Sequence, residues 1–241
     1  MKSRLGYEIN NDNPEDKKRF IRGLFKSIVS TYDIANRVLS FGIDMRWRRE
    51  MLSYINILHN IRAVDLCCGT GDVTKLFHKR GIEVFPIDFS IDMIRKGVKR
   101  RALRDRSIVA DVSSLPLKDN SFNLATIAFG VRNIPDLDIF MIEVRRILTK
   151  GGKLILLELV RPENIVIRFL YSLYLNIMLP FVGGLMSFKP MAYRYLSRSI
   201  ATFMSPENLK FMLEKHGFVE ICHYFQTFGI AIIIVCQKDQ S

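Results

Sequence analysis

Cysteine is sparse in this chain, with four in 241 residues (Cys67, Cys68, Cys222 and Cys236), and none stands in a C-x-x-C pair. They read as reduced, small apolar residues of a cytosolic protein, which sets aside a disulfide framework. Histidine is equally sparse, and His59, His78, His216 and His223 show no metal-ligand spacing, which argues against a metal site. Acid is in deficit: 24 Asp and Glu stand against 36 Lys and Arg, a formal net charge of +12. A basic surface suits phosphate-rich partners, nucleic acid or an anionic membrane, or serves solubility alone. There is no low-complexity segment, no clear internal repeat and no Gly-Lys-Ser/Thr of a Walker loop. Residues 1–18 are polar and lack the apolar centre of a signal peptide, so they read as a flexible N-terminus. Residues 19–241 read as a single α/β domain, for which an apolar content of 49% is ample.

What is present centres on Val64-Asp65-Leu66-Cys67-Cys68-Gly69-Thr70-Gly71-Asp72. Ile61 to Leu66 reads as a short buried strand, the glycines as a tight turn, and Val73 to Lys79 as a helix. Strand, glycine turn and helix open a nucleotide-binding βαβ unit, whose helix points its amide N–H groups at the ligand. Thr74 stands where a dinucleotide fingerprint needs its third glycine. The pattern acid-x-x-x-Gly-x-Gly instead resembles motif I of the class I methyltransferases, which bind S-adenosylmethionine. Gly81 to Ile87 reads as a second strand ending at Asp88, an acid placed to accept both ribose hydroxyls.

Upstream, Phe20 to Val38 has helical spacing with Tyr32 inside it; Ser40-Phe41-Gly42 breaks it, and Trp47 follows in a second helix, Asp44 to Leu58. Residues 19–58 can therefore fold over the crevice as a helical lid. Ile91 to Arg104, capped by Ser90, reads as a basic helix whose Arg95, Lys96, Lys99, Arg100, Arg101 and Arg104 form most simply a solvated face, or else a membrane or RNA contact. Ser107 to Ala110 is a third strand ending at Asp111; Leu124 to Phe129 is a buried fourth strand with Gly130-Val131-Arg132-Asn133 at its carboxyl end. Asp136 to Leu148 is a helix, Lys150 to Lys153 a turn, and Leu154 to Leu159 a fifth strand. Phe169 to Met186 carries no charge, but Asn176, Pro180 and Gly183-Gly184 count against a membrane span. Residues 160–204 read as an apolar helical insertion lining an acceptor pocket. A helix opened by Ser205-Pro206-Glu207 and two closing strands complete a seven-stranded sheet with helices on both faces.

Taken together, these motifs resemble the ubiquinone/menaquinone biosynthesis C-methyltransferase family, over nearly the whole chain from Phe20. The specific parts are Tyr32-Asp33-x-x-Asn36-x-x-Leu39-Ser40-Phe41-Gly42 with Trp47, and Phe129-Gly130-Val131-Arg132-Asn133. Arg146-Ile147-Leu148, Glu158 and Tyr193-Arg194-Tyr195-Leu196 add to them. The chain departs from the family at Asp44, often His there, and at Thr149, Val160 and Ala128. The resemblance implies a class I, Rossmann-like fold and C-methylation of a prenylated quinol, demethylmenaquinol first among them, with S-adenosyl-L-methionine as donor. It implies Gly69, Thr70, Gly71, Asp72, Asp88, Asp111, Val112 and Ala128 around the cofactor, with Asp65 either ordering the turn or approaching the methionine part. Arg132 would stabilise a developing oxyanion, Asn133 orient the quinol and Tyr32 share their hydrogen bonds; the alternatives are a salt bridge for Arg132 and packing for Tyr32. Tyr193 and Tyr195 would contact the acceptor. A homodimer and peripheral contact with an anionic cytoplasmic leaflet are compatible with this reading; nucleic acid is not, since no stacking platform or basic groove is visible. Methylation of another small aromatic or lipid acceptor, or of RNA, and a cofactor-binding module without chemistry are the rival readings.

Overall fold

The computed structural model describes residues 14–55, 61–104, 106–178 and 190–240. A seven-stranded sheet runs in the order β3-β2-β1-β4-β5-β7-β6. Its strands are β1 (Arg62–Leu66), β2 (Glu83–Asp88), β3 (Ile108–Val109), β4 (Phe122–Ala128), β5 (Leu148–Leu159), β6 (Phe218–Gln226) and β7 (Ala231–Lys238). All neighbours are parallel except β7, which lies antiparallel to both β5 and β6. β1 pairs with β2 on one side and β4 on the other, so the strand order reverses beside it. Such a switch point leaves a crevice at the carboxyl ends of the strands, where open α/β sheets hold their ligands.

The period-two alternation of strands splits the core into two layers. Val64 and Leu66 of β1 and Leu154 and Leu156 of β5 face one layer, with Phe140, Met141 and Val144 of α6 (Leu137–Ile147) and Leu209 and Leu213 of α9 (Pro206–Lys215). Ala63 of β1 and Ile155 and Leu157 of β5 face the other, with Val73 and Phe77 of α4 (Asp72–Lys79) and Trp47 and Met51 of α3 (Ile43–Met51). Burying a side chain such as Phe77 contributes roughly 1.5–3 kcal/mol, and the apolar sequence of β4 is explained by burial on both faces.

The caps read from the sequence are present. Ser90 Oγ accepts from the Met93 amide at the start of α5 (Ile91–Lys99), and Ser205 Oγ accepts from Asn208 at the start of α9, with Pro206 in the first turn. The N-terminal region differs from expectation. Phe20 to Val38 is two helices, α1 (Pro14–Ile28) and α2 (Tyr32–Leu39), because Lys96 Nζ takes the carbonyls of Val29 and Ser30 and the chain turns there. α3 stops at Met51 rather than near Leu58, followed by a short 3-10 turn at Leu52–Tyr54. α5 stops at Lys99, five residues before Arg104. β5 begins at Leu148, so the Lys150–Lys153 turn is a bulge within the strand, Phe122 pairing with Leu148 and Leu124 with Lys153. After β5 come α7 (Ile165–Leu173), a π-helical turn at Tyr174–Met178, and α8 (Pro190–Thr202). Pro180, the Gly183-Gly184 pair, Met186 and residues 1–13 lie outside the described residues.

Candidate active site

At the carboxyl ends of β1 and β4 the backbone is strained. Cys67 and Phe129 follow these strands with φ of 52° and 61°, a left-handed conformation that side chains disfavour and that clusters at ligand sites. Gly130 is there because a Cβ would fall 2.7 Å from the Cys67 Cβ. The two loops thus close against each other, and two cavities open beside them.

The larger, about 520 Å³, is enclosed by α1, α2 and α3 on one side and α7, α8 and the β6–β7 turn on the other. Its wall is apolar over most of its extent, with Leu24, Ile28, Leu39, Trp47, Leu170 and Ile200 among the lining residues. Its polar lining includes Tyr32, Asp44, Arg48, Arg132, Asn133 and Tyr195. The expected catalytic trio therefore comes together, although its members stand about a hundred residues apart in sequence. Tyr195 donates to Asn133 Oδ1 at 2.9 Å, and burial pushes its phenol up to about 12, so it remains a donor at neutral pH. Burial also raises the Tyr32 phenol, opposed by the nearby Arg48 and by Arg132. Arg132 is paired: its guanidinium donates to Glu158, which is wholly buried and also accepts from the Arg132 and Leu159 amides. The positive charge expected to face the acceptor is thus matched inside the protein, while Arg132 Nε is buried without a protein partner. The Tyr193 side chain is outside the described residues; its backbone lies in α8.

The smaller cavity, about 20 Å³, sits on the glycine turn and is lined by Asp65, Cys67, Gly69, Thr70, Asp72 and Ala128, with Tyr32 and Arg48. Asp65 holds the turn from beneath, accepting from Thr74 at 2.6 Å and Thr126 at 3.1 Å. Burial pushes it up to about 6 against those hydrogen bonds. Asp88 at the end of β2 accepts from the amides of Gly69 and Ser90, both at 2.8 Å, and burial likewise raises it to about 6. Gly71 is required by packing as well as by the turn: at φ +86° a Cβ would meet Leu103 at 2.5 Å. Asp111 lies apart from this cavity, paired with Lys18 of α1 at 3.1 Å, and Val112 belongs to the core. Burial works to raise the Asp111 carboxyl, but the Ser113 amide and Lys18 outweigh it and hold it low.

Several residues here carry no site role in the sequence reading. Asp33 accepts from Thr70 at 2.5 Å and pairs with Lys96 at 2.9 Å and Arg100 at 2.6 Å. Arg37 bridges Asp44 to Asp72, at 2.7 Å from the latter, and Arg100 reaches Asp72 at 3.2 Å. Arg48 completes the chain on Asp44 at 2.5 Å. Lys96 and Arg100 had read as part of a solvated face; their spacing of four puts both on the side of α5 that meets α1 and α2. Asp33 and Arg37 have the same four-residue spacing on α2, which was the available signal.

The chemistry of these residues suits a nucleoside cofactor: a glycine turn at a helix N-terminus, an acid at the next strand's end, and a third acid beyond. Solved structures of the same architecture agree on the class. A SAM-dependent methyltransferase from Thermotoga maritima superposes with a TM-score of 0.66 at 20% identity, over 91% of this chain and all of that one. The Haemonchus contortus phosphoethanolamine N-methyltransferase 2, solved with S-adenosyl-L-methionine, gives 0.60 at 14%, over 81% of this chain and 53% of that one. The fold is that of the class I methyltransferases.

Sequence narrows the class. Residues 12–238 match the ubiE/COQ5 methyltransferase family. The demethylmenaquinone methyltransferase of Thermus thermophilus is 39% identical over 217 residues, 88% of this chain and 98% of that protein. The ubiquinone/menaquinone biosynthesis C-methyltransferase of Geobacter sulfurreducens is 36% identical over 231 residues, 92% and 90% of the two. The chain belongs to the ubiE/COQ5 methyltransferase family.

Proposed function

We propose that this chain methylates a ring carbon of a prenylated quinol, demethylmenaquinol to menaquinol, with S-adenosyl-L-methionine as donor. The observation that carries this reading is the 520 Å³ cavity: apolar over most of its lining, with a set of polar side chains, two of which, Tyr32 and Arg48, also line the glycine-turn crevice. A quinol head with an isoprenoid tail has that distribution of polarity. The bound cofactor supplies an activated methyl group together with its own leaving group, so the protein needs no covalent nucleophile.

The residues then divide the remaining work. Asp88 would hold the ribose hydroxyls, Asp111 and Val112 would border the adenine, and Gly69, Thr70, Gly71, Asp72 and Ala128 would hold the rest, over a turn ordered by Asp65. Tyr195 and Asn133 would fix the quinol head, and Arg132 would offer its unpartnered Nε–H to one quinol oxygen. α1–α3 would act as a lid that excludes water. The tail would leave past Phe41, Leu170 and Phe228, toward a membrane bearing anionic lipid on its cytoplasmic face. No helix among the described residues is long and apolar enough to cross a membrane, which fits peripheral contact.

Purified protein given S-adenosylmethionine and a chemically reduced, short-tailed demethylmenaquinone should yield menaquinone, detected by mass after extraction and reoxidation. Absence of product with both that quinol and a demethylated benzoquinol would overturn the reading. Product from the benzoquinol alone would change the named acceptor.

A further inference from the structure

Two guanidiniums line the acceptor cavity among the described residues, and they differ in position and partners. Arg132 is matched one-to-one by the buried Glu158. Arg48, only 5% exposed, also lines the cofactor crevice, which Arg132 does not reach. Its guanidinium carbon lies over the Phe129 ring, 4.7 Å from the centroid, on the strained residue that follows β4. Its carboxylate partner, Asp44, is shared. The ion-pair network joins Arg37, Arg48, Lys96 and Arg100 to Asp33, Asp44 and Asp72, and Arg48 also faces the buried Asp65 across the small cavity. Arg48 is the member of this network that stands between the two cavities, next to Tyr32.

We infer that Arg48, rather than Arg132, holds the acceptor's reacting hydroxyl as its oxyanion. This rests on the quinol reading above. In the step assigned to it, the quinol O–H bond breaks heterolytically, the proton passes to water and the electron pair stays on oxygen facing the guanidinium. That anion is what makes the neighbouring ring carbon nucleophilic. Arg132 and Tyr195 then position the head through hydrogen bonds, and Asp44 sets how much of the Arg48 charge is available. The family resemblance did not single out Arg48 for this role, and Asp44 is one of the positions where this chain departs from the family pattern.

The test titrates a bound phenol. 1-Naphthol resembles the acceptor ring, and its anion absorbs at longer wavelength than the neutral form. On the full-length protein, its ionisation should fall by one pH unit or more relative to free naphthol, as expected for a cation within about 4–6 Å. Arg48→Gln should return it to within a few tenths of the free value. Arg48→Lys should keep most of the shift, since the charge is retained. Asp44→Asn should move it further down, a change in the opposite direction that a loosened fold does not produce, and that variant carries the test if Arg48→Gln fails to fold. Unshifted naphthol on the native protein, with quinol methylation intact, overturns this role and leaves the function standing; so does a shift that survives in Arg48→Gln. Failure of any naphthol or quinol to bind overturns both.

Discussion

Two buried carboxylates show how single residues set this protein's response to pH. Asp65 and Asp88 sit at 1% and 5% exposure, and both are pushed from 3.8 to about 6. Between those values the folded chain binds more protons than the unfolded one, so stability must fall as pH rises through that window. At ~1.4 kcal/mol per pKa unit, each charge costs the fold on the order of 3 kcal/mol at neutral pH. Asp65→Asn keeps the shape, and the Thr74 and Thr126 hydroxyls can turn to accept. It should raise the melting temperature at pH 7 and flatten the decline between pH 4.5 and 6.5; a melting profile parallel to that of the parent would refute the assignment. Arg132→Ala is the contrasting case. It strands Glu158 in the core, and an unpaired buried charge costs about 3–5 kcal/mol. Chemical denaturation should report that loss, and Arg132→Ala with Glu158→Gln should recover most of it.

At the scale of elements, the decisive contact is between the first two helices and the glycine turn. Thr70, Asp72 and Asp111 are engaged by Asp33, Arg37 and Lys18 respectively. Thr70 and Asp72 line the crevice over the glycine turn, so the lid proposed above is tied to it there, and opening it would break partly buried ion pairs. Asp33→Asn removes the carboxylate on which Lys96, Arg100 and Thr70 converge. Release of S-adenosylhomocysteine, followed by stopped-flow, should become several-fold faster while the melting temperature changes little. Raising salt from low to physiological should accelerate release in the parent and less so in the variant, because screening weakens the charges that the variant lacks. Equal release rates for both would remove the latch.

On the whole molecule, apolar side chains gather at one face. Ile165, Val166, Phe169, Leu170, Leu173 and Ile177 are all exposed along α7 and the turn after it, and Phe41 and Phe228, 76% and 81% exposed, line the 520 Å³ cavity. Arg161 and Arg168 line a third cavity beside Phe169, and Arg194 and Arg198 are exposed on α8. An apolar patch of this kind, rimmed by cations, matches an anionic leaflet at ~1 kcal/mol per basic residue. Vesicles containing anionic lipid should therefore retain the protein in sedimentation, high salt should release much of it, and Ile165→Glu with Phe169→Glu should abolish retention. Equal binding to neutral and anionic vesicles would refute the electrostatic part.

Local pattern carried the elements and their order. Strand periodicity, the glycine turn, Ser90 and Ser205 as caps, and the apolar β4 depend on neighbours within a few residues, so sequence by itself determined a parallel sheet with a terminal hairpin and placed Tyr32, Arg132 and Asn133 as one group through family resemblance. It misread what depends on distant partners. The break before Tyr32 exists because Lys96, more than sixty residues away, takes the free carbonyls. The start of β5 at Leu148 depends on pairing with Phe122, which outweighs the glycine signal. The charge state of the site lay furthest from view. Whether a guanidinium is available or cancelled is a property of three-dimensional neighbours: Glu158 lies 26 residues from Arg132, and Asp72 lies 35 from Arg37. Only the packing of α2, α3 and α5 over the sheet decided that Arg132 is matched, that Arg48 stands between the cavities, and that Tyr32 of α2 rests on the glycine-turn crevice.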